Sequence, residues 1–183
     1  MAKQVLFIHS GGPQGDQQGS SGLLRHLKNE LGPGYEVSAP RMPDPENPKY
    51  SEWRNVLKEE LAALEDGSIL IGHSIGGSAL FKILSEEELG KTFEKVISIA
   101  APFWGMNEEW QLEDFHLVED FSSRSSLLPD VVLFHSIGDD IVPFEHMERY
   151  MENLPKATVR QIPGNDHIFL DGLPDLADEI RKV

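Results

Sequence analysis

Three side chains have the types and order needed for nucleophilic catalysis. Ser74 lies in "GHSIG", an aspartate in "GDDIVP" (Asp139 or Asp140), and His167 in "GNDHIF". A serine hydroxyl attacks a carbonyl poorly until a base takes its proton, and an imidazole base works best when a carboxylate fixes its tautomer. Each residue alone has an ordinary structural explanation, as a turn serine, a turn aspartate or a surface histidine. Together they follow the chain order serine, acid, histidine, and that combination suits acyl transfer. The same pattern makes His167 the base, so activity should rise with pH as it loses its proton.

Such a triad works only if three distant segments meet at one edge. "SILIGH" (68–73) reads as a buried strand and "IGGSALFKILS" (75–85) as the helix leaving it, so Ser74 falls on the sharp turn between them. Gly72 and Gly76 suit a turn where side chains would crowd the strand and helix. Further strands are expected at 4–9, 35–40, 95–101, 131–136 and 157–163. Helices are expected at 20–31, 50–64 (with Ser51 as its cap), 75–85, 144–154 and 173–183. This alternation predicts an α/β, three-layer sandwich with a six-stranded parallel sheet. The runs "VLFI", "ILI" and "VVLF" suit strands covered on both faces. The acid then follows the fifth strand and His167 the sixth, at the same carboxyl edge as Ser74.

Other segments supply the surroundings. The N–H of Ile75 opens a helix and would face a developing oxyanion. The first loop, "HSGGPQGDQQG", follows the first strand, and its Gly11 would give the second donor. The irregular stretch 102–130 carries Phe103, Trp104, Trp110, Phe115 and Phe121; Phe103 and Trp104 are expected to wall a shallow, acidic-rimmed substrate pocket. A turn-capping role falls to Asp140, and His73 is expected to orient the elbow rather than take part in the chemistry. The first loop could alternatively cradle a dinucleotide phosphate. It lacks the G-x-G-x-x-G order, however, and no acidic residue closes the second strand.

Composition excludes other classes. The 183 residues make a single domain the simplest organisation. With 16 Lys+Arg against 31 Asp+Glu, the net charge of −15 repels phosphate backbones and anionic lipid, so neither nucleic acid nor membrane is expected as a partner. No run is long enough to span a bilayer, and the N-terminus does not read as a signal peptide. The absence of cysteine removes disulfides and thiolate sites. A cytoplasmic protein is expected, and the histidine spacings suggest no metal and no cofactor.

The stretches "RMPDPENPKYSEW", "ILIGHSIG", "FHSIGDDIVP" and "GNDHIF" resemble small capless α/β-hydrolases of the YdeN-like and retinoblastoma-binding serine hydrolase family. "MPDP" followed by Trp53 points to this family rather than to α/β-hydrolases at large. The resemblance covers nearly the whole chain. It implies Ser74 as nucleophile, His167 as base and Asp139, at the D-x-x-V-P spacing, as the acid. The expected function is cleavage of a small carboxylic ester or related acyl compound. A non-catalytic interaction module that keeps the hydrolase fold is the alternative.

Overall fold

The structure is a computed structural model and describes residues 2–182. Its strands are β1 (Lys3–Ile8), β2 (Tyr35–Ser38), β3 (Ser68–His73), β4 (Phe93–Ile99), β5 (Asp130–Ser136) and β6 (Thr158–Ile162). The helices are α1 (Ser21–Leu31), α2 (Tyr50–Ala63), α3 (Ile75–Glu86), α4 (Phe121–Arg124), α5 (Glu145–Asn153) and α6 (Pro174–Arg181). Six parallel strands form one sheet in the order β2-β1-β3-β4-β5-β6.

Alternate residues of each strand face opposite layers. Val5 and Phe7 of β1, with Ile69 and Ile71 of β3, meet Leu23 and Leu27 of α1 and Leu176 and Ile180 of α6. Leu6, Ile8 and Leu70 meet Trp53 and Leu57 of α2, Leu80 and Phe81 of α3, and Met147 and Tyr150 of α5. Both faces are therefore covered, as the continuous apolar runs require. No helix among the described residues is long and apolar enough to cross a membrane.

The strand order determines where a ligand can enter. After β1 the chain passes to β2 at one edge, and after β3 it passes to β4 on the other side. Loops that part in this way leave a crevice at the carboxyl ends of β1 and β3. Both the serine turn and the glycine-rich first loop open into it.

Two expectations differ in detail. The fourth strand runs 93–99 rather than 95–101, because the chain turns at Ala100, whose φ is +49°. Helix α2 begins at Tyr50, so Ser51 lies inside the first turn and caps nothing. The cap comes instead from Asp114, which accepts the Tyr50 N–H at 2.8 Å from 64 residues away. A carboxylate there satisfies a free amide and faces the positive helix end.

Candidate active site

Ser74 holds φ +54° and ψ −127° between β3 and α3. A non-glycine residue at positive φ carries strain that its surroundings must maintain. Here the surroundings are glycines. A Cβ on Gly72 would lie 2.5 Å from Gly77 Cα, and one on Gly76 would lie 2.5 Å from the Ile8 carbonyl oxygen. Gly77 is a third such position, since its Cβ would meet Ser98 Oγ at 2.7 Å. Helix and strand thus approach backbone to backbone, and Ser74 is lifted above the sheet edge. Although Ser74 occupies the N-cap position of α3, its side chain makes no capping bond and stays free for another partner.

That partner is His167, whose Nε2 lies 3.2 Å from Ser74 Oγ. On its other side, Nδ1 of His167 lies 2.7 Å from Asp139 Oδ2. A carboxylate only accepts, so the proton sits on Nδ1 and the Nε2 lone pair faces the serine. The 3.2 Å separation is long for such a bond, as is usual before substrate binds. Asp139 is itself anchored. Its Oδ1 accepts the N–H groups of Ile141 and Val142, each at 2.9 Å. Burial pushes its carboxyl group up, but the bonds from His167 and from the Val142 and Ile141 amides more than offset this and hold it below the usual range. Asp140, the expected turn cap, is exposed, and Asp139 makes the turn bonds itself.

The first loop is held against α3. Gly12 N–H donates to the Pro45 carbonyl at 2.7 Å, and Met42 N–H donates to Gln14 Oε1 at 2.9 Å. Trp53 Nε1 donates to the Pro43 carbonyl at 2.8 Å. The "MPDP" stretch and Trp53 are therefore a brace under this loop. Gly11 lies beside Ile75, to whose Cγ2 an added Cβ would come within 3.6 Å.

Above Ser74 opens a cavity of about 290 Å³ that includes Ser10, Gly11, Ile75, Trp104, Ile141 and Val142 in its lining. No Asp, Glu, Lys or Arg lines its wall, and Asp140 and Asp166, next in sequence to the lining residues Ile141 and His167, are exposed. Of its lining residues, Ile141 is an exposed apolar side chain. Trp104 lines the pocket as expected, but Phe103 does not. The Phe103 ring packs on Tyr150, with centroids 5.0 Å apart, among the core side chains. Wall residues not singled out in the sequence are Ile141, Val142, Ile168 and Trp110, the last standing 5.5 Å from Trp104 between ring centroids. The place of Trp110 in an aromatic-rich segment was visible, but the loop path that brings it back was not. That path is fixed by Gly105 N–H donating to the Trp110 carbonyl at 2.7 Å. The Pro102 carbonyl accepts from Ser78 Oγ at 2.6 Å and from Tyr150 Oη at 2.9 Å. Phe103 N–H donates to His146 Nδ1 at 2.9 Å.

The sequence model described as serine hydrolase matches residues 23–172, a span holding Ser74, Asp139 and His167. The chain belongs to the serine hydrolase family. It is 23% identical to the putative hydrolase YdeN of Bacillus subtilis (strain 168), over 96% of this chain and 92% of that one. The crystal structure of the B. subtilis ydeN product superposes with a TM-score of 0.84 at 19% identity, covering 99% and 98% of the two chains. A serine hydrolase involved in carbazole degradation, CarC, superposes at 0.74 with 14% identity, covering 99% of this chain and 90% of that chain. At these identities the structural matches establish the α/β-hydrolase fold, and no cap domain is present among the described residues.

Proposed function

We propose that this hydrolase cleaves a small carboxylic ester, or a related acyl compound, through an acyl-enzyme on Ser74. The observation that carries the reading is the hydrogen-bonded series from Asp139 through His167 to a serine held at positive φ. Ser74 Oγ attacks the carbonyl carbon while its proton passes to His167 Nε2. The tetrahedral oxyanion is met by the N–H of Ile75 and, in this reading, of Gly11. Collapse breaks the bond to the leaving group, which takes the proton from His167. Water then attacks the acyl-enzyme, giving its proton to His167, and the acid leaves as that proton returns to Ser74.

The pocket lining supports an uncharged acyl group of modest size, aromatic or branched, against Trp104, Trp110 and Ile141. Buried apolar surface supplies binding there, and no cation is present to offset a charged acyl chain. The test is labelling by a fluorophosphonate probe, read as a mass shift on wild type and on Ser74→Ala. Labelling of wild type alone supports an activated serine. No labelling of the folded wild type would overturn the reading in favour of the interaction module.

A further inference from the structure

One buried side chain touches both loops that flank Ser74 and is not used in the acyl transfer. His73 ends β3 with no exposed surface. Its Nε2 lies 2.8 Å from the backbone carbonyl oxygen of His167, and its Nδ1 lies 2.8 Å from Ser20 Oγ. A carbonyl only accepts, so Nε2 carries the proton and Nδ1 accepts from the Ser20 hydroxyl. The Ser20 oxygen is then available to accept the Ser10 N–H, at 2.8 Å. Ser10 directly precedes Gly11.

Ser20 has an unusual placement. It stands at the N-cap of α1, where a serine ordinarily bonds the first free amides of the helix. Its side chain makes no such bond and turns inward to His73 and Ser10. Burial, reinforced by the neighbouring His167, holds the His73 ring far below the usual histidine range, at about 3. The neutral tautomer that this arrangement needs is therefore kept wherever an imidazole base can work.

We propose that His73 is a positioning residue: through one neutral imidazole beneath the nucleophile it ties the His167 loop to the Ser10–Gly11 loop, and so holds the base and the second oxyanion donor in register. An apolar ring could fill the same space, but it would leave the His167 carbonyl without this donor. It would also free the Ser20 hydroxyl to turn to Ser10 Oγ, 3.0 Å away, so that Ser20 no longer ties the first loop to the His167 loop. Displacements near 1 Å at a reacting centre cost on the order of 100-fold in rate. The proposal rests on the acyl-transfer reading of Ser74.

Two amides divide the role of the ring. His73→Asn keeps an acceptor near the Nδ1 position and loses the donor to His167, whereas His73→Gln keeps a donor near the Nε2 position and releases Ser20. Ser20→Ala cuts the same link as His73→Gln with the smallest change in volume. The experiment measures fluorophosphonate labelling against probe concentration for wild type, Ser20→Ala, His73→Gln and the double variant, each confirmed folded by thermal unfolding. The maximal labelling rate should fall about 10- to 100-fold in each single variant, with the half-saturating concentration unchanged. The double variant should be no slower than the slower single one, because both cut one connection. Wild-type maximal rates in the folded Ser20→Ala protein, or effects that multiply in the double variant, would overturn the proposal alone. A wild type that does not label would overturn the acyl-transfer reading and this inference with it.

Discussion

A hollow of about 400 Å³ lies at the amino ends of β4, β5 and β6, and one of about 290 Å³ lies at the carboxyl ends of β1 and β3. The larger is lined by residues such as Phe93, Ser125, Leu128, Asp130, Leu154 and Lys156, which start strands or end connections. None of its lining residues is a histidine. The smaller collects a serine at positive φ, a paired histidine and two tryptophans. Size therefore does not mark the site. In a parallel sheet every loop leaving a strand opens at the same edge, and the point where the loops part leaves room between them. The amino edge receives only the returns from the helices.

Substitutions at the two edges should differ most where the chemistry is most direct. Ser74→Ala should lower hydrolysis of an activated aryl ester by about a millionfold, the scale seen when a catalytic serine is removed. Residual turnover near wild type would mean that the carboxyl-edge hollow is not the reacting one. Asp139→Asn should cost about 10⁴-fold, because an amide N–H facing His167 Nδ1 forces the proton onto Nε2, where it cannot accept from Ser74. That figure is checked with the same ester, and retained activity would remove Asp139 from the triad.

Acid should act on the carboxyl edge rather than the amino edge. Burial lowers the His73 ring to about 3 and the His146 ring to about 4, and His9 and His135 shift in the same direction. Below the unfolded value of about 6.5, the unfolded chain binds protons that the folded chain refuses, so stability falls with pH. The contribution is whole above about pH 6.5 and is lost progressively toward pH 4, at up to roughly 1.4 kcal/mol per pH unit for each such histidine. Melting temperatures measured across this range should fall on acidification, and a flat profile would contradict the burial of these rings.

The smaller effects sharpen the contrast. Gly76→Ala would push a methyl to 2.5 Å from the Ile8 carbonyl and 2.6 Å from that of His9, where backbone cannot yield. It should destabilise by about 1–3 kcal/mol in urea unfolding. Lys156→Ala, on an exposed residue of the larger hollow, should change stability by no more than about 0.5 kcal/mol and leave ester turnover unchanged. A loss of activity there would give the amino edge a role that its chemistry does not suggest.

Local physics in the sequence was enough for the sheet, its covering helices and the elbow. Apolar runs between glycines and helical periodicity are short-range signals, and Gly72-x-Ser74-x-Gly76 states its own steric requirement within five residues. Chain order placed one aspartate of the Asp139–Asp140 pair at the same edge as His167, and only the D-x-x-V-P resemblance chose Asp139 between them. Other features depended on contacts between residues far apart in the chain. Asp114 caps α2, Trp110 rather than Phe103 joins Trp104 at the pocket, and Ser20 faces His73 instead of capping its own helix. In each case a polar atom or an aromatic ring had several partners of suitable chemistry. The sequence by itself determined which elements form and which residue types reach the carboxyl edge, because propensity and periodicity act over a few residues. Only the tertiary structure decided which of those residues meet, because partner choice follows from the paths of loops whose ends are set by the packed sheet.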